Sequence, residues 1–267
     1  MTERIAGELA GSEWDGFVCG HGPGLVLAHG ASSDVADSFG AVAARLADTN
    51  TVVALNYPGS GTTPRSRTPL TLDGLADSLA DAATRAGQRR FAVLGYSTGS
   101  AVAVRLATRH PERVTALVLS AGMAYPNPRL RMVTQTWRRL AAAGDPQSLA
   151  AYLILLGWSP AWLDLRSETE LSELTTAIGA ALPPGADDQL DLLTRVDVRA
   201  ELADIRVPTL IVAATHDLVV SPAHARELAA GIPNAVLTEV DSGHALASER
   251  PAEWAEVVAT WLRACGA

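Results

Sequence analysis

The sequence predicts an α/β protein: a doubly wound, mostly parallel sheet with helices on both faces and a block of helices inserted between two strands. Two observations indicate this fold. Short, continuously apolar runs alternate with longer amphipathic stretches, the pattern of buried parallel strands covered by crossover helices. The alternation is interrupted once, over residues 126–196, and then resumes.

Six segments are predicted to be buried strands, because they are short, apolar and rich in β-branched residues. They are residues 25–28, 51–55, 91–95, 114–120, 209–213 and 235–240. Five amphipathic segments are predicted to be the covering helices. They are residues 35–47, 72–86, 98–108, 222–230 and 251–264. We expect the first strands of the sheet before Leu25, where the pattern is too weak to place them.

The interruption at 126–196 is predicted to be helical, since proline and glycine separate amphipathic segments there and no apolar strand occurs. The expected helices are residues 130–143, 147–157, 168–181 and 187–194. Because the strand pattern continues afterwards, residues 1–125 and 197–267 are predicted to form one core domain. Residues 126–196 are predicted to form a helical cap, or lid, on that core.

Composition narrows the classes of partner. The chain has 267 residues and a formal net charge of −8, which argues against nucleic acid or an anionic membrane as a partner. No run of about 18 apolar residues predicts a membrane span, and residues 1–10 lack the features of a signal peptide. Cys19 and Cys265 allow a disulfide, but a reduced, cytoplasmic setting is the simpler interpretation.

The pentapeptide at 95–99 reads Gly-Tyr-Ser-Thr-Gly and lies between a predicted strand and a predicted helix. A turn this tight requires a positive φ at its central residue and very small residues two positions before and after it. It would hold Ser97 at the carboxyl end of the sheet, beside a helix N-terminus. We therefore predict that Ser97 is a nucleophile; the alternative is a glycine-rich turn with an incidental serine.

A serine nucleophile needs a base, and the base needs an acid that orients it. His244 and Asp217 each follow a predicted strand in a loop at the carboxyl end of the sheet, and they are the predicted base and acid. The alternatives are that Asp217 only shapes a turn or caps a helix, and that Asp241 is the acid. His224 lies within a predicted helix and is expected at the surface, and His216 is expected near the site without being the base.

The loop after strand 25–28 is expected to supply a backbone donor for an oxyanion, the Ala31 N–H, which would act together with the Thr98 N–H. His29 is expected to shape this loop. The turn at 56–61 reads Asn-Tyr-Pro-Gly-Ser-Gly and is assigned no chemistry, since its glycines follow no phosphate-binding spacing. We predict no metal site and no cofactor.

Taken in order, these segments resemble the α/β-hydrolase superfamily, and most closely its cap-bearing esterase, enol-lactonase and perhydrolase-like branch. The resemblance covers essentially the whole chain. It rests on His29-Gly30, on the pentapeptide at 95–99, on Arg-His-Pro-Glu-Arg-Val at 109–114, on Val-Pro-Thr-Leu at 207–210 and on Gly243-His244. It implies an α/β-hydrolase fold with the functional order Ser97, Asp217, His244.

The chain departs from the family pattern in two places. Where many members have Asp-x-Arg-Gly-x-Gly, residues 56–61 lack the charged residues, and Ser100 replaces a frequent glycine. Some members place the acid after the strand that follows the nucleophile helix, but residues 121–124 read Ala-Gly-Met-Ala, which favours Asp217. The departures leave the three predicted catalytic residues untouched. They weaken any inference of the substrate of this chain from the substrates of one subfamily.

The expected function is hydrolysis of a small or medium, mostly apolar ester or lactone through an acyl-enzyme on Ser97. Four aromatic residues of the cap are expected to line the pocket: Trp137, Tyr152, Trp158 and Trp162. Other reactions on the same fold stay open, namely a lyase, a cyclising acyltransferase or a perhydrolase. A small-molecule receptor that retains a hydrolase pocket is an alternative of another class. The presence of all three residues, Ser97, Asp217 and His244, argues against a structural pseudoenzyme. The expected partner is a small-molecule substrate, and the oligomeric state is not indicated.

Overall fold

The structure, a computed structural model, describes residues 2–9 and 12–267. Met1, Ala10 and Gly11 belong to the predicted core domain and lie outside the described residues. Met1 and Ala10 are also part of the stretch 1–10 considered above for a signal peptide. Within the described ranges, no helix combines the length and the apolar character that crossing a bilayer requires. Cys19 and Cys265 are free thiols, so the disulfide alternative is not realised.

The described residues form one eight-stranded sheet with the order β1-β2-β4-β3-β5-β6-β7-β8. The strands are β1 (Thr2–Leu9), β2 (Ser12–Gly20), β3 (Gly24–Ala28), β4 (Thr51–Asn56), β5 (Phe91–Tyr96), β6 (Val114–Ser120), β7 (Thr209–Ala214) and β8 (Val236–Val240). Strands β3 to β8 are parallel, and β2 is antiparallel to both of its neighbours. The predicted mostly parallel sheet is confirmed.

The strands that the sequence did not place form a hairpin at one edge. β1 pairs with β2 from Thr2↔Cys19 to Leu9↔Ser12, and β2 joins the hairpin to β4 from Asp15↔Asn56 to Gly20↔Thr51. Most of the described side chains of β1 are exposed, so this strand lacks the apolar run that marks β3 to β7.

Helices cover both faces of the sheet. Helices α1 (Val35–Leu46) and α11 (Pro251–Cys265) pack on one face, where Leu25 and Leu27 of β3 point. Helices α2 (Leu72–Arg85), α3 (Thr98–Arg109) and α9 (Pro222–Gly231) pack on the other, where Val26 points. Successive side chains of a strand face opposite sides, so strands covered on both faces must be apolar throughout.

Between β6 and β7 the chain forms helices, which we call the helical insert (residues 128–195). They are α4 (Pro128–Ala142), α5 (Pro146–Gly157), α6 (Pro160–Leu163), α7 (Glu168–Ala181) and α8 (Ala186–Arg195). Four begin after a side-chain cap, from Asn127, Asp145, Ser159 and Ser167, and three of these have proline at the start. A cap accepts an otherwise unpaired N–H of the first turn, and proline has no N–H to satisfy there. Helix α10 (Leu246–Glu249) follows β8.

Candidate active site

Ser97 lies in the turn between β5 and α3 with φ 55° and ψ −124°. The flanking glycines make this turn sterically feasible. A Cβ at Gly95 would lie 2.5 Å from the Gly99 carbonyl oxygen, and a Cβ at Gly99 would overlap the carbonyl oxygen of Ala28 at the end of β3. The backbone is strained in the way the pentapeptide predicts, and it presents the Ser97 hydroxyl at the carboxyl end of the sheet.

Ser97, His244 and Asp217 form one hydrogen-bonded chain. The Ser97 Oγ lies 3.1 Å from the His244 Nε2, and the His244 Nδ1 lies 2.6 Å from the Asp217 Oδ2. A carboxylate can only accept, so Nδ1 carries the proton and Nε2 is left to accept from the serine hydroxyl. The geometry brings together the three residues that the sequence proposed for nucleophile, base and acid.

The Asp217 carboxylate is buried and uses both of its oxygens. Its Oδ1 accepts from the Val219 N–H at 2.8 Å and the Val220 N–H at 2.7 Å, while Oδ2 faces His244. The turn-forming role and the contact with the histidine therefore coexist in one side chain. Asp241, the rival acid, is instead exposed and pairs with the Nε2 of His216 at 2.8 Å.

The loop that carries His244 is also held by Tyr96, whose Oη donates to the His244 carbonyl at 2.6 Å. The two rings are 5.2 Å apart between centroids. Burial, and then the charges of Asp217, Asp37 and Glu249, hold the pKa of Tyr96 well above its ordinary value. The phenol is therefore a neutral hydrogen-bond donor at any working pH.

His29 shapes the loop after β3, as the sequence suggests. It is fully buried and stacks on Tyr57, with 3.8 Å between ring centroids. Its Nδ1 donates to the Gly30 carbonyl at 2.7 Å, and its Nε2 accepts from the Tyr57 N–H at 2.9 Å. Burial lowers the pKa of His29 to about 4, so the ring is neutral and both nitrogens serve this loop.

The backbone on both sides of Ser97 offers candidate donors for an oxyanion. A Cβ on Gly30 would lie 3.2 Å from the Ser97 Cβ, so the loop after β3 runs beside Ser97. No acceptor among residues 2–9 and 12–267 bonds the Ala31 N–H. Thr98 is the first residue of α3, where backbone N–H groups have no partner within the helix.

A cavity of about 230 Å³ opens above Ser97 and His244. Its roof is apolar and comes largely from the helical insert. The roof residues are Trp137, Leu153, Trp158, Ile178, Ala181, Leu182, Pro183, Leu190 and Leu193. Its polar side comes from the start of α1 and the loop before it. Among the residues that the structure describes, Asp34 and Asp37 are the acidic side chains in the lining, and no arginine contributes to it.

Of the four aromatic residues proposed for the pocket, Trp137 and Trp158 line the cavity and Tyr152 and Trp162 do not. Tyr152 packs between the insert helices, and its Oη donates to the Val133 carbonyl at 3.2 Å. Trp162 packs against Trp158 and under the guanidinium of Arg166, which lies 4.0 Å from the ring centroid. Both side chains are used for the packing of the insert itself.

The expectation that His224 lies at the surface is wrong, because its side chain is 2% exposed. It lies on the face of α9 that also buries Ala225 and Leu228, and its ring contacts Tyr125. Burial lowers the pKa of His224. The signal was present in the sequence, since His224 and Leu228 are four residues apart and share one helix face.

Residues of the insert form hydrogen bonds with three loops that surround the candidate site: the loop after β7, the loop after β3 and the loop after β8. Arg129 of α4 donates to the carbonyl oxygens of Leu218 and Val219, next to Asp217. Gln189 of α8 accepts from the Ser32 N–H, next to Ala31, at 2.8 Å.

The third contact joins the insert to the histidine loop. The buried Glu249 accepts from the N–H groups of Ser159 and Gly243, both at 2.9 Å, and from the Ser159 Oγ at 2.5 Å. Beside it, the Ala245 N–H donates to the Gly157 carbonyl at 2.8 Å. No sequence motif marks Arg129, Gln189 or Glu249, because the contacts that join the insert to these loops are between residues far apart along the chain.

Within the described part of the chain, no group of three or more His, Cys, Asp or Glu side chains is arranged to hold a metal ion.

Comparison with known proteins gives a consistent result. Residues 23–251 match the family model described as alpha/beta hydrolase fold. The chain is 29% identical over 245 residues to a pyrrolizixenacetamide deacetylase of Xenorhabdus hominickii, covering 91% of this chain and 92% of the relative. It is 30% identical over 225 residues to a putative carbamate hydrolase, RutD, of Azorhizobium caulinodans, covering 83% of each.

Among solved structures, the enol-lactonase of Burkholderia xenovorans LB400 superposes with a TM-score of 0.82 at 23% identity. The match covers 97% of this chain and all of that one. At this identity the likeness bears on the fold alone. Since the family model matches most of the chain, the chain belongs to the alpha/beta hydrolase family of enzymes.

Proposed function

We propose that this enzyme hydrolyses small or medium, mostly apolar esters or lactones through an acyl-enzyme on Ser97. One observation carries the proposal: the continuous hydrogen-bond chain from Asp217 through His244 to Ser97 ends at an apolar cavity. The strained φ of Ser97 supports it, because such strain persists only where the surrounding structure holds it.

In the proposed first half-reaction, the Ser97 Oγ attacks the substrate carbonyl carbon while the His244 Nε2 takes the hydroxyl proton. The tetrahedral oxyanion accepts hydrogen bonds from the Ala31 and Thr98 N–H groups. The bond to the leaving oxygen then breaks, and His244 gives its proton to that oxygen. Asp217 stays ionised and stabilises the imidazolium.

In the second half-reaction, water attacks the acyl-serine and His244 accepts one of its protons. A second tetrahedral intermediate forms on the same N–H groups. It collapses to the carboxylic acid as His244 returns the proton to the Ser97 Oγ. No cofactor or metal is needed for either half, and the products are one acid and one alcohol, or a hydroxy acid from a lactone.

The cavity supports the proposed substrate class. Its roof is apolar, its volume of about 230 Å³ suits a small or medium substrate, and its acidic residues Asp34 and Asp37 disfavour an anionic substrate. In this proposal residues 126–196 act as a cap that supplies the roof. In this proposal the partner is a small-molecule substrate and the setting is cytoplasmic.

Hydrolysis of a substrate panel tests the proposal. The panel contains p-nitrophenyl esters of increasing chain length and neutral lactones. It also contains an acetamide and a carbamate, because one relative is named a deacetylase and another a putative carbamate hydrolase. We expect turnover of short or medium esters and a loss of at least about 10³-fold in kcat for Ser97→Ala. Ser172→Ala, an exposed serine on α7, is the matched control and should behave as wild type.

Reaction in ¹⁸O-labelled water separates hydrolysis from a lyase, cyclising or perhydrolase reaction on the same residues. Hydrolysis places one solvent oxygen in the acid product. Turnover without solvent oxygen in the acid, or undiminished turnover by Ser97→Ala, would refute the proposed reaction.

A further inference from the structure

The buried amide of Gln189 is the polar exception on an otherwise apolar helix face. Gln189 is 2% exposed, and the other buried residues of α8 are Leu190, Leu192 and Leu193. A buried amide is costly unless its oxygen and nitrogen are both hydrogen-bonded. Gln189 satisfies this requirement through contacts with two loops of the core rather than within the insert.

The hydrogen bonds of Gln189 fix the orientation of its side-chain amide. Its Oε1 accepts from the Ser32 N–H at 2.8 Å, and its Nε2 donates to the Ser60 Oγ at 2.8 Å and the Pro58 carbonyl at 3.2 Å. The Ser32 N–H can only donate and the Pro58 carbonyl can only accept. An amide fits both partners in one orientation, whereas a carboxylate would place an acceptor against the Pro58 oxygen.

Ser60 closes these contacts into a ring around the loop after β3. Its Oγ accepts from Gln189 and donates to the Ser33 carbonyl at 2.6 Å. The Ser32 Oγ adds a bond to the Ala186 carbonyl at 3.3 Å, at the start of α8. Successive backbone groups at Ser32 and Ser33 are therefore tied to α8, directly or through one hydroxyl.

The held segment is strained and adjoins the reacting atoms. Ser32 has φ 57°, a conformation that residues with a side chain rarely adopt. Such strain persists only where surrounding contacts impose it. The Ser32 N–H belongs to the peptide that follows Ala31. This peptide and the one that carries the Ala31 N–H meet at the Ala31 Cα, so anchoring the first restrains the position from which the Ala31 N–H points.

We infer that Gln189 is a positioning residue for the reaction on Ser97. It fixes the Ala31–Ser32 peptide from the helical insert and so aims the Ala31 N–H at the oxyanion. The inference rests on the proposed function, in which that N–H stabilises the tetrahedral intermediate. It gives the insert a share in transition-state stabilisation, beyond its place as the roof of the cavity.

The test compares Gln189→Met with Asp188→Asn. Asp188 is the preceding residue on α8 and binds Arg65 through two contacts of 2.9 Å, but it does not touch the loop after β3. Both variants loosen the docking of α8, and only the first releases the Ser32 N–H. The measurements are kcat, KM, the melting temperature and the inhibition constant of an alkyl boronic acid. The boronate binds Ser97 as a tetrahedral adduct and mimics the transition state.

We expect Gln189→Met to lower kcat about tenfold to 100-fold, less than the full loss of one oxyanion donor. Boronate binding should weaken by a similar factor, with KM changed far less. Asp188→Asn should keep the wild-type kcat. Ser60→Ala, a smaller change in the same ring, is the second variant should Gln189→Met not fold, and it should lower kcat and boronate affinity together.

An unchanged kcat in Gln189→Met, an equal loss in Asp188→Asn, or a fall in kcat without weaker boronate binding would overturn the inference while leaving the proposed function intact. If Ser60→Ala is measured in place of Gln189→Met, an unchanged kcat with an unchanged boronate affinity would also overturn the inference. Undiminished hydrolysis by Ser97→Ala would instead overturn the proposed function, and the inference with it.

Discussion

Replacing Asp217 by asparagine changes one oxygen of the site into a donor and leaves its shape intact. The amide oxygen can keep the two bonds from Val219 and Val220, so the –NH₂ group must face His244 where the carboxylate oxygen now lies at 2.6 Å. The imidazole then has to accept at Nδ1 and carry its proton on Nε2. In that tautomer the histidine donates toward Ser97 and cannot take its proton.

The expected loss follows from these contacts. A hydrogen bond to a charged group contributes about 1.5–3 kcal/mol, and the tautomer bias adds about one ordinary hydrogen bond of about 1 kcal/mol. The sum, about 2.5–4 kcal/mol, corresponds to a fall of roughly 10²-fold to 10³-fold in kcat. The melting temperature and KM should change little, because the turn made by the other oxygen remains.

Steady-state hydrolysis of the best ester in the panel measures this loss, with Asp241→Asn as the control. Asp241 is also a carboxylate near His244 in sequence, but its side chain is 74% exposed and paired with His216. Exposed pairs of this kind contribute little, so the control should stay within about twofold of wild type. An Asp217→Asn enzyme as active as the control, or an equal loss in both, would refute the assignment of the acid.

Three further predictions concern the glycine of the turn, the buried histidine and the charge of the cavity. Gly99→Ala places a Cβ against the Ala28 carbonyl. We therefore expect urea titration to show a loss of about 1–3 kcal/mol in unfolding free energy and ester hydrolysis to show a reduced kcat. Wild-type values of both quantities would contradict the close approach. His29 has a pKa of about 4 in the folded state and about 6.5 when unfolded, so the unfolded chain binds more protons between these pH values. The free energy of unfolding therefore falls as the pH drops through this window, by about 2 kcal/mol between pH 8 and pH 5. His29→Gln should abolish this part of the pH dependence, and an equal pH dependence of unfolding in both proteins would contradict the prediction. The kcat/KM of neutral esters should exceed that of isosteric esters bearing a carboxylate by at least about tenfold. The double variant Asp34→Asn with Asp37→Asn should reduce this ratio of kcat/KM values. An unchanged ratio would show that these two side chains do not set the charge preference.

The sequence predicts the parallel part of the sheet well because its cause is local. Strands buried on both faces must be apolar throughout, and β3 to β7 end within one residue of the predicted runs. The hairpin of β1 and β2 escaped prediction because its outer strand is largely exposed, so no periodic pattern marks it. Short helix α6 was missed for a similar reason, since four residues carry no period.

The residues of the candidate site likewise fall into those that the sequence could indicate and those that it could not. Ser97, Asp217 and His244 could be proposed because each follows a strand at one end of a parallel sheet, where topology alone brings such loops together. Gln189 and Glu249 could not, since their partners at Ser32 and Ser159 are 157 and 90 residues away. Of the four proposed pocket aromatics, Trp137 and Trp158 line the cavity and Tyr152 and Trp162 do not, because composition does not say whether an aromatic residue of the insert faces the cavity or its own helices.

Covalent labelling with a fluorophosphonate, read by intact mass, tests the central claim most directly. The reagent phosphonylates a serine that a base has activated. We predict one adduct per chain on the wild-type enzyme, mapped to Ser97, none on Ser97→Ala, and much slower labelling of His244→Ala. Equal labelling of wild type and Ser97→Ala, or no labelling of either, would contradict the assignment of Ser97 as the nucleophile.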